Sequence, residues 1–318
     1  MTDDSRVAPP LAEFGRVAII GMGLMGGSLG LALRAARAVG ALDASEVVGY
    51  DAAPGVAERA VARGALDLAC ASLAEAIDAA RLVVIAAPTL AAERVLRAVV
   101  EHAAHLAPDV VVTDMCSVKA PLVALAETLG EQTPALAERY VGGHPMAGSE
   151  RAGIEAATEA LLRGARWVLT PTAATAPDAL ARLRALVVAL GAEPVEMAAE
   201  AHDDAVAGIS HLPLALAVAL TETLADADDW ATMAQLAAGG YRDATRVAAG
   251  DPLMGRDILL ANRGPLLARL DAFTATLARL RERIARGDAG AIEAELRAAQ
   301  AARLSWQAEH ERARGQRG

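Results

Sequence analysis

Two stretches carry residue types at spacings that could do chemistry. The first is RVAIIGMGLMGGSLG, Arg16 to Gly30, in which Val17 to Ile20 reads as a buried strand and Gly21, Gly23 and Gly26 follow with G-x-G-x-x-G spacing. Gly21 permits a tight turn, Gly23 lets the backbone approach a pyrophosphate, and Gly26 lets helix and strand pack closely. Leu24 and Met25 open a helix whose first N–H groups and positive dipole end suit phosphates. Spaced glycines alone often only turn a chain. Here a second apolar run, Val47 to Tyr50, ends in Asp51, 25 residues after Gly26. A carboxylate at that offset binds a ribose 2′-hydroxyl and repels a 2′-phosphate, which favours NAD over NADP.

The second stretch is VGGHPMAGSE, Val141 to Glu150. His144 follows a strand and precedes Pro145, so a rigid loop presents its ring. Oxidation of an alcohol by hydride loss needs a base for the hydroxyl proton, and imidazole is suited to it near neutrality. A lone surface histidine in a turn would look the same. Ser117, in DMCSVK after the preceding strand, is expected in the same crevice and weighs toward function.

These residues need a scaffold of strands and helices. From Arg16 the pattern alternates between the two, as in a parallel sheet covered on both faces. Strands are expected at 65–69, 82–87, 110–113, 140–143, 166–170 and 193–197, and helices at 54–63, 72–80, 90–106, 150–162 and 177–190. Ligands of such sheets bind at the carboxyl ends of strands. Pro88 and Thr89 should therefore flank the cofactor, with Asp114 to Lys119 near its nicotinamide end. After residue 198 the strand signals stop, and helices are expected at 202–224, 230–239, 252–286 with a break at Gly264-Pro265, and 289–314. The reading is an α/β class: a disordered lead-in over 1–14, a Rossmann-like dinucleotide-binding domain over 15–198, and an all-α domain over 199–318. Ala- and Leu-rich helices with surplus apolar faces point to a homodimer.

GMGLMGGSLG, TDMCSVK, GGHPMAGSE, RWVLTP, HDDAVAGISHLP and GGYRDATRVAAGDP occur in this order. Jointly they resemble the prephenate/arogenate dehydrogenase family of tyrosine biosynthesis, over about residues 15–285. The resemblance implies a helical dimerisation domain after the nucleotide domain, and NAD-dependent oxidative decarboxylation of prephenate, with arogenate as the alternative substrate. It further implies that His144 accepts the ring hydroxyl's proton and that Ser117 orients that hydroxyl. Arg246 would bind a substrate carboxylate, steadied by Asp243. Ser210 and Gly239 would line the pocket, with Glu150 at its mouth. Two departures stand out. Leu214 occupies a position that is frequently histidine where prephenate is preferred, and Gly255 one that is sometimes aromatic. An apolar Leu214 also suits an arogenate pocket, where Glu150 could pair with the ammonium.

Other polar residues read as structural. His211 is expected to be a satisfied buried histidine. His202, with Asp203 and Asp204, reads as an acidic helix start that complements the dipole. Lys119 reads equally as a cofactor neighbour or a solvated lysine, and Cys116 has no assigned role. A β-hydroxyacid dehydrogenase, which shares this domain order, would need a catalytic lysine on the helical domain, and Lys119 is the only lysine in the chain. A non-catalytic NAD sensor would have no need of His144, Ser117 and Arg246 together.

Bulk properties agree. The chain has 318 residues, 54% of them hydrophobic and 3% aromatic, enough for two domains with an Ala/Leu/Val core. A net charge of −10 disfavours nucleic acid and anionic membrane as partners. Two distant cysteines without metal spacing predict reduced thiols and no metal site. The acidic N-terminus is unlike a signal or transit peptide, and no apolar run is expected to reach the ~18 residues a membrane span needs. A cytoplasmic protein with a small-molecule dicarboxylate cyclohexadienol substrate is the expectation.

Overall fold

The computed structural model describes residues 12–149 and 151–315. Eight strands form one sheet: β1 (Ala12–Ile20), β2 (Leu42–Tyr50), β3 (Leu68–Ala69), β4 (Leu82–Ile85), β5 (Val111–Asp114), β6 (Tyr140–Pro145), β7 (Arg166–Thr170) and β8 (Glu193–Glu196). Their spatial order is β3-β2-β1-β4-β5-β6-β7-β8. The first six strands are parallel and follow the doubly wound order of dinucleotide-binding sheets. The expected disordered lead-in is corrected at its end, because residues 12–14 already belong to β1. Residues 1–11 of it lie outside the described residues.

The helices of this part are α1 (Leu24–Ala38), α2 (Val56–Ala62), α3 (Leu73–Ile77), α4 (Thr89–Glu101), α5 (Ala120–Gly130), α6 (Pro134–Arg139) and α7 (Pro177–Ala189). Alternation along the strands divides the core between the two sheet faces. Val17, Ile19, Leu82 and Val84 pack with Leu29 and Leu33 of α1 and Leu183 of α7. Ala18, Ile20, Val83 and Ile85 pack with Leu96 of α4 and Leu122 of α5. Successive side chains of a strand point to opposite faces, so a strand covered on both sides must be apolar throughout. LVVI in β4 is the clearest case, with every residue fully buried.

The sheet departs from the all-parallel expectation at its far edge. β7 runs antiparallel to β6, and β8 runs parallel to β7. An antiparallel return needs no crossover helix. The helix expected over 150–162 is accordingly absent among the described residues, and a single 3₁₀ turn, Ile154–Ala156, stands in its place.

Helices follow: α8 (Ala199–Val206), α9 (Leu212–Ala225), α10 (Trp230–Leu236), α11 (Gly239–Thr245), α12 (Pro252–Ala261), α13 (Arg263–Arg286) and α14 (Ala289–Gly315). A π-helical turn, Ala207–His211, joins α8 to α9. Pro213, in the first turn of α9, removes a backbone donor to the turn before it, which favours local widening. By length and composition the combined rod, Ala199–Ala225, is apolar enough to cross a membrane, which corrects the expectation that no segment is. Asp251 caps α12, accepting from the N–H of Leu253 at 2.7 Å and of Met254 at 3.2 Å. The break between α12 and α13 falls at Asn262 rather than at Gly264-Pro265, since Pro265 fits a first helical turn.

The chain divides into two compact units at Leu266/Leu267. The first holds the sheet and the helices through α12. The second is a helical hairpin that turns at Gly287, whose φ of +64° suits glycine, and is stitched by an Arg283–Glu295 ion pair.

Candidate active site

The glycine loop between β1 and α1 is built as a nucleotide cradle. Gly21 has φ +100°, and a Cβ there would lie 2.8 Å from the Ala86 backbone. A Cβ on Gly26 would collide with the Gly21 carbonyl, so helix and loop can approach only with glycine at that position. At Gly23 a Cβ would meet nothing within 4 Å. That open side lies at the α1 N-terminus, where no side chain caps the helix. Unsatisfied N–H groups beside open space fit a diphosphate. Leu24 and Met25 form the first turn, both partly accessible.

Asp51 ends β2 and holds this loop. Its Oδ2 accepts from Met22 N at 2.7 Å and its Oδ1 from Ala53 N at 2.8 Å. Each carboxylate oxygen retains a lone pair for a ribose hydroxyl. Pro88 precedes α4 as its cap and Thr89 begins that helix, both just beyond the carboxyl end of β4.

At the end of β5 sits a closed polar cluster. Asp114 and Lys119 form an ion pair with both side chains 0% exposed. Lys119 Nζ also donates to the Gly143 carbonyl at 2.7 Å, and the Tyr140 hydroxyl donates to Asp114 Oδ2 at 2.7 Å. Burial, then the Asp114 charge, pushes the Tyr140 phenol well above its ordinary range. The solvated reading of Lys119 is corrected, since it is a buried brace between β5, α5 and the residue before His144. Cys116 is also buried and its thiol is pushed up by desolvation, leaving an inert sulfur. Ser117 stays partly accessible on the loop between β5 and α5.

His144 lies on β6 with a partly accessible ring, and its Nδ1 is 2.8 Å from His202 Nε2. The rings meet edge to face. His202 Nδ1 is in turn 2.7 Å from Asp203 Oδ1. The helix-start reading of His202 and Asp203 is thereby corrected. Asp203 does sit at a helix N-terminus, but that of α5, where it accepts from Lys119 N and Ala120 N, each at 2.8 Å. Loss of hydration, followed by repulsion from Lys119 and from any positive charge on His202 or His211, holds the His144 pKa well below 6.5. The ring is neutral at pH 7 and can accept a proton.

His211 is a satisfied core histidine, as expected. Asn262 Nδ2 reaches both the Asp203 carbonyl at 2.8 Å and His211 Nδ1 at 3.0 Å. The carbonyl requires the amide NH₂ on that side, so His211 Nδ1 accepts and the ring stays neutral, its pKa lowered by burial to about 4.

Ser210 is an exposed residue of the π turn, and Gly239 opens α11. Arg246 begins the 3₁₀ turn after α11 with an exposed side chain. Asp243, expected to steady it, pairs instead with the adjacent Arg242 at 3.1 Å. Glu150 lies outside the described residues. Leu214 and Gly255 face one another, a Cβ on Gly255 falling 3.8 Å from Leu214 Cδ2. Both line an apolar groove of about 460 Å³ together with Val218, Val247 and Met254. Among the described residues no group of three His, Cys, Asp or Glu is placed to hold a metal.

The descriptions "Prephenate dehydrogenase, nucleotide-binding domain" and "Prephenate dehydrogenase, dimerization domain" match residues 32–196 and 198–298 in turn. The chain belongs to the prephenate dehydrogenase family. It is 33% identical to the prephenate dehydrogenase of Bacillus subtilis, over 86% of this chain and 71% of that protein. It is 34% identical to the cyclohexadienyl dehydrogenase of Zymomonas mobilis, over 95% of this chain and 99% of that one. The crystal structure of the Aquifex aeolicus prephenate dehydrogenase, in complex with hydroxyphenyl propionate and NAD+, superposes with a TM-score of 0.81 at 31% identity, covering 92% of this chain and 98% of that one. Members thus share the two-part chain but differ in the substrate for which they are named. In this member the β-hydroxyacid alternative lacks its base, because the single lysine is sealed in the β5–β6 cluster.

Proposed function

We propose that this chain catalyses NAD-dependent oxidative decarboxylation of prephenate to 4-hydroxyphenylpyruvate, with arogenate as the second candidate. The observation that carries this reading is His144, a neutral imidazole on β6 with Nδ1 engaged by His202 and Nε2 left for substrate. The residues fit NAD, which supplies a hydride acceptor when bound. The Gly21–Gly26 loop and α1 would hold the diphosphate, Asp51 would hold the ribose, and Pro88 and Thr89 would border the nicotinamide end.

His144 Nε2 takes the proton of the ring hydroxyl as hydride leaves C4, and Ser117 orients that hydroxyl. The resulting dienone is a sink for the electrons of the C1–carboxylate bond, and carbon dioxide departs as the ring becomes aromatic. His144 then returns its proton to the phenolate oxygen. Atoms and charge balance with no metal, as two electrons pass to NAD and the proton is borrowed and restored. Arg246 grips a substrate carboxylate, and Ser210, Gly239 and Leu214 shape the pocket. Asp243 supports this segment through Arg242 rather than by direct contact with Arg246.

Reduction of NAD and NADP measured in parallel with prephenate and arogenate tests the assignment. Fastest turnover with NAD and prephenate is expected, and turnover with neither dienol would overturn it. The apolar Leu214/Gly255 corner, without the histidine frequent where prephenate is preferred, is compatible with arogenate and keeps it as the second reading. Arg246→Ala is expected to raise KM for the dienol by about 10- to 100-fold with a smaller change in kcat, the cost of one charge-assisted contact. Steady-state kinetics would show an unchanged KM if the residue lies outside the site. Asp51→Ser is expected to lower the NAD/NADP preference about 10-fold by removing the charge that repels a 2′-phosphate.

The domain boundary near residue 198 and a homodimer through the helical part belong to the same reading. A second copy would cover the apolar faces of α9 and α12, where Val218 and Leu220 of α9 and Leu253 and Leu260 of α12 are exposed. A cytoplasmic enzyme with no nucleic-acid or membrane partner is the setting we infer.

A further inference from the structure

We propose that His202 and Asp203 form a positioning relay behind His144 that fixes its tautomer and leaves its Nε2 bare toward the substrate hydroxyl. The proposal rests on the reading of His144 as the base. Its argument is a count of protons along one chain of contacts. Backbone N–H groups can only donate, so Lys119 N and Ala120 N oblige both oxygens of Asp203 to accept. A carboxylate facing two such donors is held as the anion, and its Oδ1 then accepts from His202 Nδ1 as well. His202 therefore carries its proton on Nδ1. In the neutral ring Nε2 is an acceptor, and the group 2.8 Å away is His144 Nδ1. His144 must donate there, which leaves Nε2 without a proton.

The arrangement is closed to water. His202 is 1% exposed and Asp203 3%. Asn262 binds the Asp203 carbonyl, so the backbone of the relay is also fixed. When Nε2 takes the substrate proton, the Nδ1–H···Nε2 contact becomes charge-assisted and the Asp203 anion lies one ring behind the new cation. No proton needs to travel along the relay. The other ionisable groups around the pair are Lys119 from the start of α5, paired to Asp114 of β5, and His211 from the π turn, held neutral by Asn262. Lys119 and a protonated His202 or His211 would oppose a cation on His144, so the relay favours it only with His202 neutral, its Nε2 accepting and Asp203 behind it.

The test compares the whole protein with His144→Ala, His202→Leu and His202→Gln. Nitrogen-15 imidazole spectra report which ring nitrogen of His144 is protonated, and steady-state kinetics report kcat and KM over a pH series. The relay predicts His144 as the Nδ1–H tautomer in the wild type. His202→Leu should shift it toward Nε2–H and lower kcat about 100-fold, with KM within about twofold. Glutamine can offer its carbonyl at the same place, and His202→Gln should recover the Nδ1–H signal and most of kcat. A wild-type His144 protonated on Nε2 would overturn the proposal, as would a His202→Leu variant with lowered kcat and an unmoved tautomer. Full kcat in His202→Leu beside a dead His144→Ala would reject the relay and leave the base assignment standing. Full activity in His144→Ala would reject the base, while the spectra would still report the tautomer.

Discussion

Replacing His144 with alanine is expected to lower kcat by about 10³-fold while KM for the dienol changes only a fewfold. General-base catalysis is worth roughly 10²–10⁴ in rate, and here it acts on a hydroxyl proton that must leave as hydride departs. Ground-state affinity is assigned to Arg246 and the pocket residues, so the loss belongs to the transition state. The pH profile supplies a second check. His144 works deprotonated, and its pKa lies well below the ordinary 6.5 because the ring is desolvated and faces Lys119, His202 and His211. The wild-type kcat/KM should therefore stay level through neutrality and fall only as the pH drops through that depressed value. A profile that bends near 6.5 would mean a hydrated imidazole. Unchanged kcat in the alanine variant would remove His144 from the chemistry.

The largest expected effect on stability is at Lys119. Its ammonium is sealed against Asp114 with no exposed side-chain surface on either partner. Removing one member of a buried pair leaves an uncompensated charge and typically costs about 3–5 kcal/mol. Lys119→Ala is expected to lose that much in urea denaturation. The Tyr140 hydroxyl and the Cys116 N–H still reach Asp114, so the lower end is the better expectation. Asp114→Asn in the same chain should recover part of the loss, because the orphaned charge goes with it. A stability unchanged within about 0.5 kcal/mol would show that Asp114 is solvated or protonated without its partner. Lys119 Nζ also binds the carbonyl of Gly143, so the variant should lose kcat as well, through slack in the strand that carries His144.

The contrast between His144 and Lys119 shows what the sequence made legible. The glycine loop, Asp51 and the strand ends are local features, in which a short pattern and its chemistry coincide. They appear in the structure where the spacing predicts them. The relay behind His144 is made by residues 58 and 59 positions away, and nothing near His202 announces the meeting. HDD does mark an aspartate at a helix N-terminus, but the helix is α5, a partner that only the fold supplies. Lys119 did carry a signal. It is the single lysine among 30 basic residues, and a compact ammonium fits a closed site that would not hold a guanidinium with its five donors. The reversal of β7 is not legible in the sequence, because the segment before it contains enough alanine and leucine to suggest a crossover helix. The structure uses that segment as a loop returning to an antiparallel partner. Leu214 and Gly255 were each legible as departures from the family pattern, whereas their contact across one groove was not.

The most direct measurement of the central claim is the stoichiometry of a single reaction mixture containing prephenate and NAD. The account predicts equal amounts of NADH, carbon dioxide and 4-hydroxyphenylpyruvate from the wild-type protein, and a rate about 10³-fold lower for all three with His144→Ala. NADH formed without an aromatic product, or all three products at the wild-type rate without the imidazole, would contradict it.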